Sequence, residues 1–140
     1  MGASTPGRFW EDLAEDLKDP EFLRAYVVES VRIETIDRVV NELDDARQQM
    51  GLSKAELARA ISAEPAAVRR LLSLSHRNPT IGTLVEVAAA LGLRVTLEPL
   101  SAAEREQITE PLRTGRSDVP GRLARALHEK REPRRSKVVG

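Results

Sequence analysis

The stretch GLSKAELARAISAEPAAVRRLLSLSHRNPTIGTLVEVAAALGL, residues 51–93, opens three helices in quick succession. Ser53 and Glu56 form a capping box: the hydroxyl serves the N–H three residues on, and the carboxylate serves the cap's own N–H. The helix that follows turns Leu52, Leu57, Ala58 and Ile61 to one side. Ser62-Ala63-Glu64 is a tight turn, and Pro65 suits the first position of a second helix, whose missing N–H has no intrahelical partner to lose. That second helix, PAAVRRLLS, turns Val68, Leu71 and Leu72 inward. SHRNP interrupts it. Thr80 then caps a third helix with Ile81, Leu84, Val87, Ala88 and Leu91 inward, and Gly92 closes it.

Two short helices joined by a turn of this length have the geometry of a helix-turn-helix. Ala58 is small, so the second helix can cross close to the first. Val68 and Leu71 lock it onto Leu57 and Ile61. Ala66, Arg69, Arg70 and Ser73 are left on the outer side. A helix whose outer face carries a small residue and two arginines can enter a major groove.

Upstream, Glu21 to Met50 is helical in pattern, with apolar residues recurring in threes and fours from Phe22 through Ile33, Ile36 and Leu43 to Met50. Asp19-Pro20-Glu21 is its start and Gly51 its stop. Such a helix spans ~45 Å at 1.5 Å per residue, so a break near Glu29–Glu34 or an outward projection is expected. Residues 9–18 read as a short amphipathic helix with Trp10, Leu13, Ala14 and Leu17 on one side. Downstream, Leu93-Arg94-Val95-Thr96-Leu97-Glu98 alternates apolar and polar, the periodicity of a strand, and Pro99 ends it. The rest is polar, although GRLARALHEK has the make-up of a short helix; the final dozen residues are expected to be disordered. A lone strand leaves backbone groups without partners, and the economical remedy is pairing Arg94, Val95, Thr96, Leu97 and Glu98 with a second copy across a two-fold axis, or adding them to a partner's sheet, against a reading in which the segment packs on its own domain.

The 140 residues are 41% apolar, 31% charged and 3% aromatic. Phe9, Trp10, Phe22 and Tyr26 are the aromatic residues, so later cores are built from Leu, Val, Ile and Ala, and base stacking on single strands is disfavoured. Cysteine is absent, which removes disulfides, thiolate zinc sites and thiol catalysis. The zero net charge conceals an asymmetry: residues 1–50 carry −6, residues 51–100 carry +2 and residues 101–140 carry +4. No apolar run approaches ~18 residues, and MGASTPGRFWEDL lacks a signal pattern. A cytoplasmic protein with no membrane partner is expected. Glu42, Asp44 and Asp45 have no candidate nucleophile near them in sequence and read as a solvated face. No nucleophile–base pair, metal set or phosphate loop stands out, so neither enzyme activity nor a cofactor is expected.

These residues resemble the XRE (Cro/repressor-type) helix-turn-helix family. Leu52, Ser53, Lys54, Glu56, Leu57 and Ala58 match its first motif. Asn78, Pro79, Thr80, Thr83, Leu84, Ala88, Ala90, Leu91 and Gly92 match its second. Asp19 to Tyr26, reading DPEF…Y, and the segment RVTLEPL are similar to the HigA-type antitoxins within that family. The resemblance implies an all-α, lambda-repressor-like domain of four to five helices over residues 36–100, ending in one short strand. A helical extension over 1–35 precedes it, and a polar basic tail, partly disordered, occupies 101–140. It also implies sequence-specific binding of double-stranded DNA, as a homodimer on a palindromic operator.

The family's base-contacting positions fall on Pro65, Ala66, Arg69 and Arg70. Pro65 stands where a glutamine is frequent and cannot donate to a base, so Ala66, Arg69 and Arg70 are the candidates, with Arg70 bidentate to guanine. Phosphate contacts are expected from Ser53, Lys54, Ser73, His76, Arg77 and Asn78. The family's turn glycine is Ser62, so the turn must avoid positive φ or carry strain. The segment before Asn78 is one residue longer than usual. The antitoxin likeness further implies a type II toxin–antitoxin pair, with repression of its own promoter and neutralisation of a RelE-like ribonuclease. Trp10, Phe22 and Tyr26 are the candidate toxin contacts, against a reading in which they close the core. The alternatives are a stand-alone repressor and a protein-interaction module that has lost DNA binding.

Overall fold

The computed structural model describes residues 6–73 and 78–132. The elements are α1 (Pro6–Asp16), α2 (Pro20–Gln49), α3 (Lys54–Ala60), α4 (Pro65–Leu71) and α5 (Ile81–Ala90). After these come α6 (Ala102–Glu104), a π-helical turn (Arg105–Thr109), α7 (Glu110–Thr114) and α8 (Pro120–Lys130). None of the described helices is long and apolar enough to cross a membrane.

The described residues pack as two units. One takes the two flanks of the chain, residues up to Glu34 and from Pro99 to Glu132; the other takes Thr35–Glu98. The division falls inside α2, which runs unbroken from Pro20 to Gln49. Of the two alternatives, a break near Glu29–Glu34 or an outward projection, the break is not there. Asp19 starts the helix as its sequence indicates, its Oδ1 accepting from the Glu21 N–H at 3.3 Å.

In the central unit, Leu43 of α2 shares a core with Leu57, Ala58, Val68, Leu71 and Val87, and Leu52, Ile61 and Leu84 pack around it. Three helix ends there use one device. After α2, Gly51 takes φ +70°, its N–H bonds to the Gln48 carbonyl, and the Leu52 N–H bonds to the Arg47 carbonyl. After α5, Gly92 at φ +77° repeats this on Ala89, and Leu93 on Ala88. After α3 the same pair of bonds, Ser62 to Arg59 and Ala63 to Ala58, closes on a serine at φ +55°. This is the Schellman end, which glycine adopts without cost and serine does not. Arg47 secures the α2–α3 corner, donating to Asp44 Oδ1 at 2.9 Å and to the Leu52 carbonyl at 2.6 Å. Asp44, part of the acidic run noted in sequence, is therefore a structural partner of Arg47.

In the flanking unit, α1 packs on α8, and Leu13, Leu17, Leu23 and Val27 share a core with Ile108, Leu123 and Leu127. Polar links add to it. Arg24 donates to the Leu112 carbonyl at 2.9 Å. Arg131 lies 3.8 Å from the centre of the Tyr26 ring and donates to Ser30 Oγ, the Tyr26 carbonyl and Glu29. Lys130 Nζ meets the buried Glu34 carboxylate at 3.3 Å. Burial raises the Tyr26 phenol above its ordinary range, and the Arg131 guanidinium opposes that shift in part.

Three expectations are corrected. First, Arg94–Glu98 is not a strand: among the described residues there is none, and 93–100 is irregular and exposed. Alternation of apolar and polar residues favours an extended chain, but a ladder needs a second edge, and the described residues offer none. Second, residues 101–132 are no mere polar tail; they are largely helical and supply nearly half of a core. Their apolar residues are sparse because their partners lie at the other end of the sequence. Pro111 also masks the run 102–114 as helix. Lacking an N–H and clashing with the preceding turn, it is accommodated directly after the wider π turn. Third, Ile81 does not face the core; it is 73% exposed on the first turn of α5, and the inward stripe begins at Leu84. The last residues expected to be disordered, from 133 on, lie outside the described residues.

Candidate nucleic-acid interface

The site is α4 with the start of α3. α3 is held by its capping box: the Glu56 N–H donates to Ser53 Oγ at 3.0 Å, and the Ser53 N–H donates to Glu56 Oε1 at 2.8 Å. These bonds to Ser53 hold the Glu56 carboxyl below its usual range, with Arg59 adding to the effect. The Ser53 hydroxyl keeps its own proton, so it can still donate to an anion while it caps. Lys54 is the first residue of α3 and is half-buried.

The turn at Ser62 delivers the chain into α4. Leu57 and Ala58 of α3 are fully buried, as are Val68 and Leu71 of α4 at 2% exposure each. The small Ala58 side chain and the two apolar residues of α4 thus fix the crossing. With Val68 and Leu71 inward, the helical period puts Arg69 and Arg70 outward, and both are exposed. Pro65 and Ala66, at the start of α4, are half-buried. Ser73 is half-buried one residue past the helix, its N–H bonded to the Arg70 carbonyl at 3.2 Å. Asn78 is exposed, ahead of Thr80, whose Oγ1 accepts from the Thr83 N–H at 3.1 Å to cap α5. His76 and Arg77 lie outside the described residues. The structure therefore brings Ser53, Lys54, Ala66, Arg69, Arg70, Ser73 and Asn78 into one unit.

The aromatic candidates lie in the flanking unit. Trp10 meets Phe9 and His128 edge to face at 5.0 and 5.2 Å, with Arg125 4.6 Å from its ring centre. Tyr26 stacks with Phe22 at 5.8 Å and also has Arg131 over its ring. Of the three, Phe22 is the exposed one. Trp10 and Tyr26 serve the packing of their own unit. Sequence reading missed the Arg125, His128 and Arg131 side of this arrangement, because nothing local in GRLARALHEKR says that it meets residues near the other end.

A capped scaffold helix, a tight turn and a second helix with two outward guanidinium groups make a helix-turn-helix, the class of fold that reads duplex DNA from the major groove. Residues 43–97, less than half of the chain, match a family model described as helix-turn-helix. That match supports the XRE type and a sequence-specific DNA-binding regulator, and the family is not normally enzymatic. No curated protein and no solved structure matches the chain.

Proposed function

We propose that this protein is the DNA-binding antitoxin of a type II toxin–antitoxin pair. It acts as a homodimer on a palindromic operator in its own promoter and neutralises a RelE-like ribonuclease. The observation that carries the DNA-reading part is the exposure of Arg69 and Arg70 on a helix whose other side is locked by Val68 and Leu71. A rigid mount of this kind lets a guanidinium fork meet the O6 and N7 of one guanine, with Arg69 sharing the task or meeting phosphate. Ser53, Lys54, Ser73 and Asn78, with His76 and Arg77, supply the phosphate contacts that set register.

The toxin-neutralising part is supported by the acidic first 50 residues, net −6, which suit a basic partner, and by the likeness of Asp19–Tyr26 to antitoxins. Phe22 is the aromatic residue most open to such a partner.

Gel shifts on the protein's own promoter test the reading. The wild type binds selectively, and Arg70→Ala loses about 1–3 kcal/mol while relaxing preference at one operator position. An equal loss on every sequence makes Arg70 a phosphate contact; no selective complex with wild type leaves a protein-interaction module. Co-purification with the product of the adjacent gene tests the antitoxin role, and its failure leaves a stand-alone repressor.

A further inference from the structure

The outward face of α4 changes character along its length. At 3.6 residues per turn, Ala66, Arg69 and Arg70 fall within an arc of about 100°, opposite the inward Val68 and Leu71. The first turn, Pro65-Ala66-Ala67, carries no side chain that can donate or accept a hydrogen bond. The Pro65 nitrogen has no N–H to offer either. Arg69 and Arg70 hold every side-chain donor of α4. Ala66 lies one helical turn before Arg70 on the same face.

From this we infer that Ala66 reads thymine: its methyl group packs against the C5-methyl of a thymine beside the guanine taken by Arg70. The inference rests on the DNA-reading face proposed above and names a second base for it. Of the groups that base edges show in the major groove, the thymine methyl is the apolar one. An alanine set against N7, O6, O4 or an amino group strips that group of water and gives it no partner, which is unfavourable. Set against a methyl, it removes apolar surface from water and leaves no polar group unpaired. Helix spacing then limits the distance between the two bases. Side chains four apart have Cβ atoms about 5–6 Å apart, and base pairs rise by about 3.4 Å, so the thymine stands about one or two pairs from the guanine.

Deoxyuridine scanning tests this with the full chain. Each thymine of the selective site in the protein's own promoter is replaced in turn by deoxyuridine, which keeps the O4 acceptor and loses only the methyl. One thymine per half-site, within about two pairs of the guanine at which Arg70→Ala relaxes preference, weakens wild-type binding about fourfold when replaced, as the loss of one buried methyl predicts. In Ala66→Gly the same replacement has no effect. Ala67→Gly, off the outward face, carries the same helix penalty and keeps the fourfold effect, which separates lost contact from lost stability. Binding indifferent to every deoxyuridine, or an Ala66→Gly chain as sensitive as the wild type, overturns the inference while the Arg70 result stands. An equal loss by Arg70→Ala on every sequence, or no selective complex with the wild type, removes the guanine itself, and the base-reading proposal falls together with the inference.

Discussion

The two units of this chain are built from the same kinds of residue and held in different ways. The central unit closes on neighbours: α3, α4 and α5 follow one another within 37 residues, Lys54 to Ala90, and α3 and α5 each start on a side-chain cap. The flanking unit closes across the chain. Arg24 reaches a carbonyl 88 residues away, and Lys130 and Arg131 reach partners 96 to 105 residues away. Local closure leaves its record in adjacent residues, whereas distant closure leaves only a thin apolar stripe at each end. The central unit leaves Arg69 and Arg70 exposed on a locked helix; the flanking unit engages Trp10, Tyr26, Arg24 and Arg131 in its own contacts.

Core deletions give the largest effect that can break this comparison. Leu57→Ala and Leu127→Ala each remove a fully buried side chain, one from each core, and each costs about 2–5 kcal/mol. In thermal unfolding followed by circular dichroism the two losses are comparable. In gel shifts at low temperature they part: Leu57→Ala loses operator binding, and Leu127→Ala retains it. Loss of binding by Leu127→Ala, with amide exchange showing α3 and α4 still protected, contradicts the separation of roles.

A smaller effect sharpens it. The helix ends at Gly51 and Gly92 carry no strain, and the one at Ser62 does. Ser62→Gly raises stability by about 1 kcal/mol, visible as a higher midpoint in urea. Gly92→Ser, the reverse exchange in the same unit, lowers it by a similar amount. A neutral Ser62→Gly means that the serine is compensated by something other than the two Schellman bonds.

The smallest effects are in pH. The Glu56 carboxyl is lowered below its ordinary 4.5, so its contribution is whole above that pH and drains away as pH falls through the lowered value. The Tyr26 phenol is raised above 10.0, so its contribution is whole below that pH and is lost as pH rises through the raised value. Glu56→Gln flattens the acid limb of a stability profile, and Tyr26→Phe flattens the alkaline limb. A Glu56→Gln profile with an unchanged acid limb removes the cap from the account.

What sequence could disclose follows the same division. Ser53 with Glu56, Pro65, Thr80 and Gly92 are local signals, and the elements that they bound are present at those positions. Buried Val68 and Leu71 followed from period alone. Ile81 did not, because the first turn of a helix can leave the core before the stripe engages. Leu123 and Leu127 were readable as one side of a helix, yet nothing near them identified Leu13 and Leu17 as what they meet. Arg94–Glu98 alternates as a strand does, but pairing is a property of two edges, and the described residues supply no second one.

The order of the chain gives the flanking unit one more property. A ribosome delivers residues 35–98 before any of 99–132, so the DNA reader can be finished while Leu13, Leu17, Leu23 and Val27 still wait for Leu123 and Leu127. A message cut short after residue 98 would yield a reader with a bare greasy stripe, the kind of product that proteases clear first. Until α8 has emerged, that stripe lacks Leu123 and Leu127 as its cover.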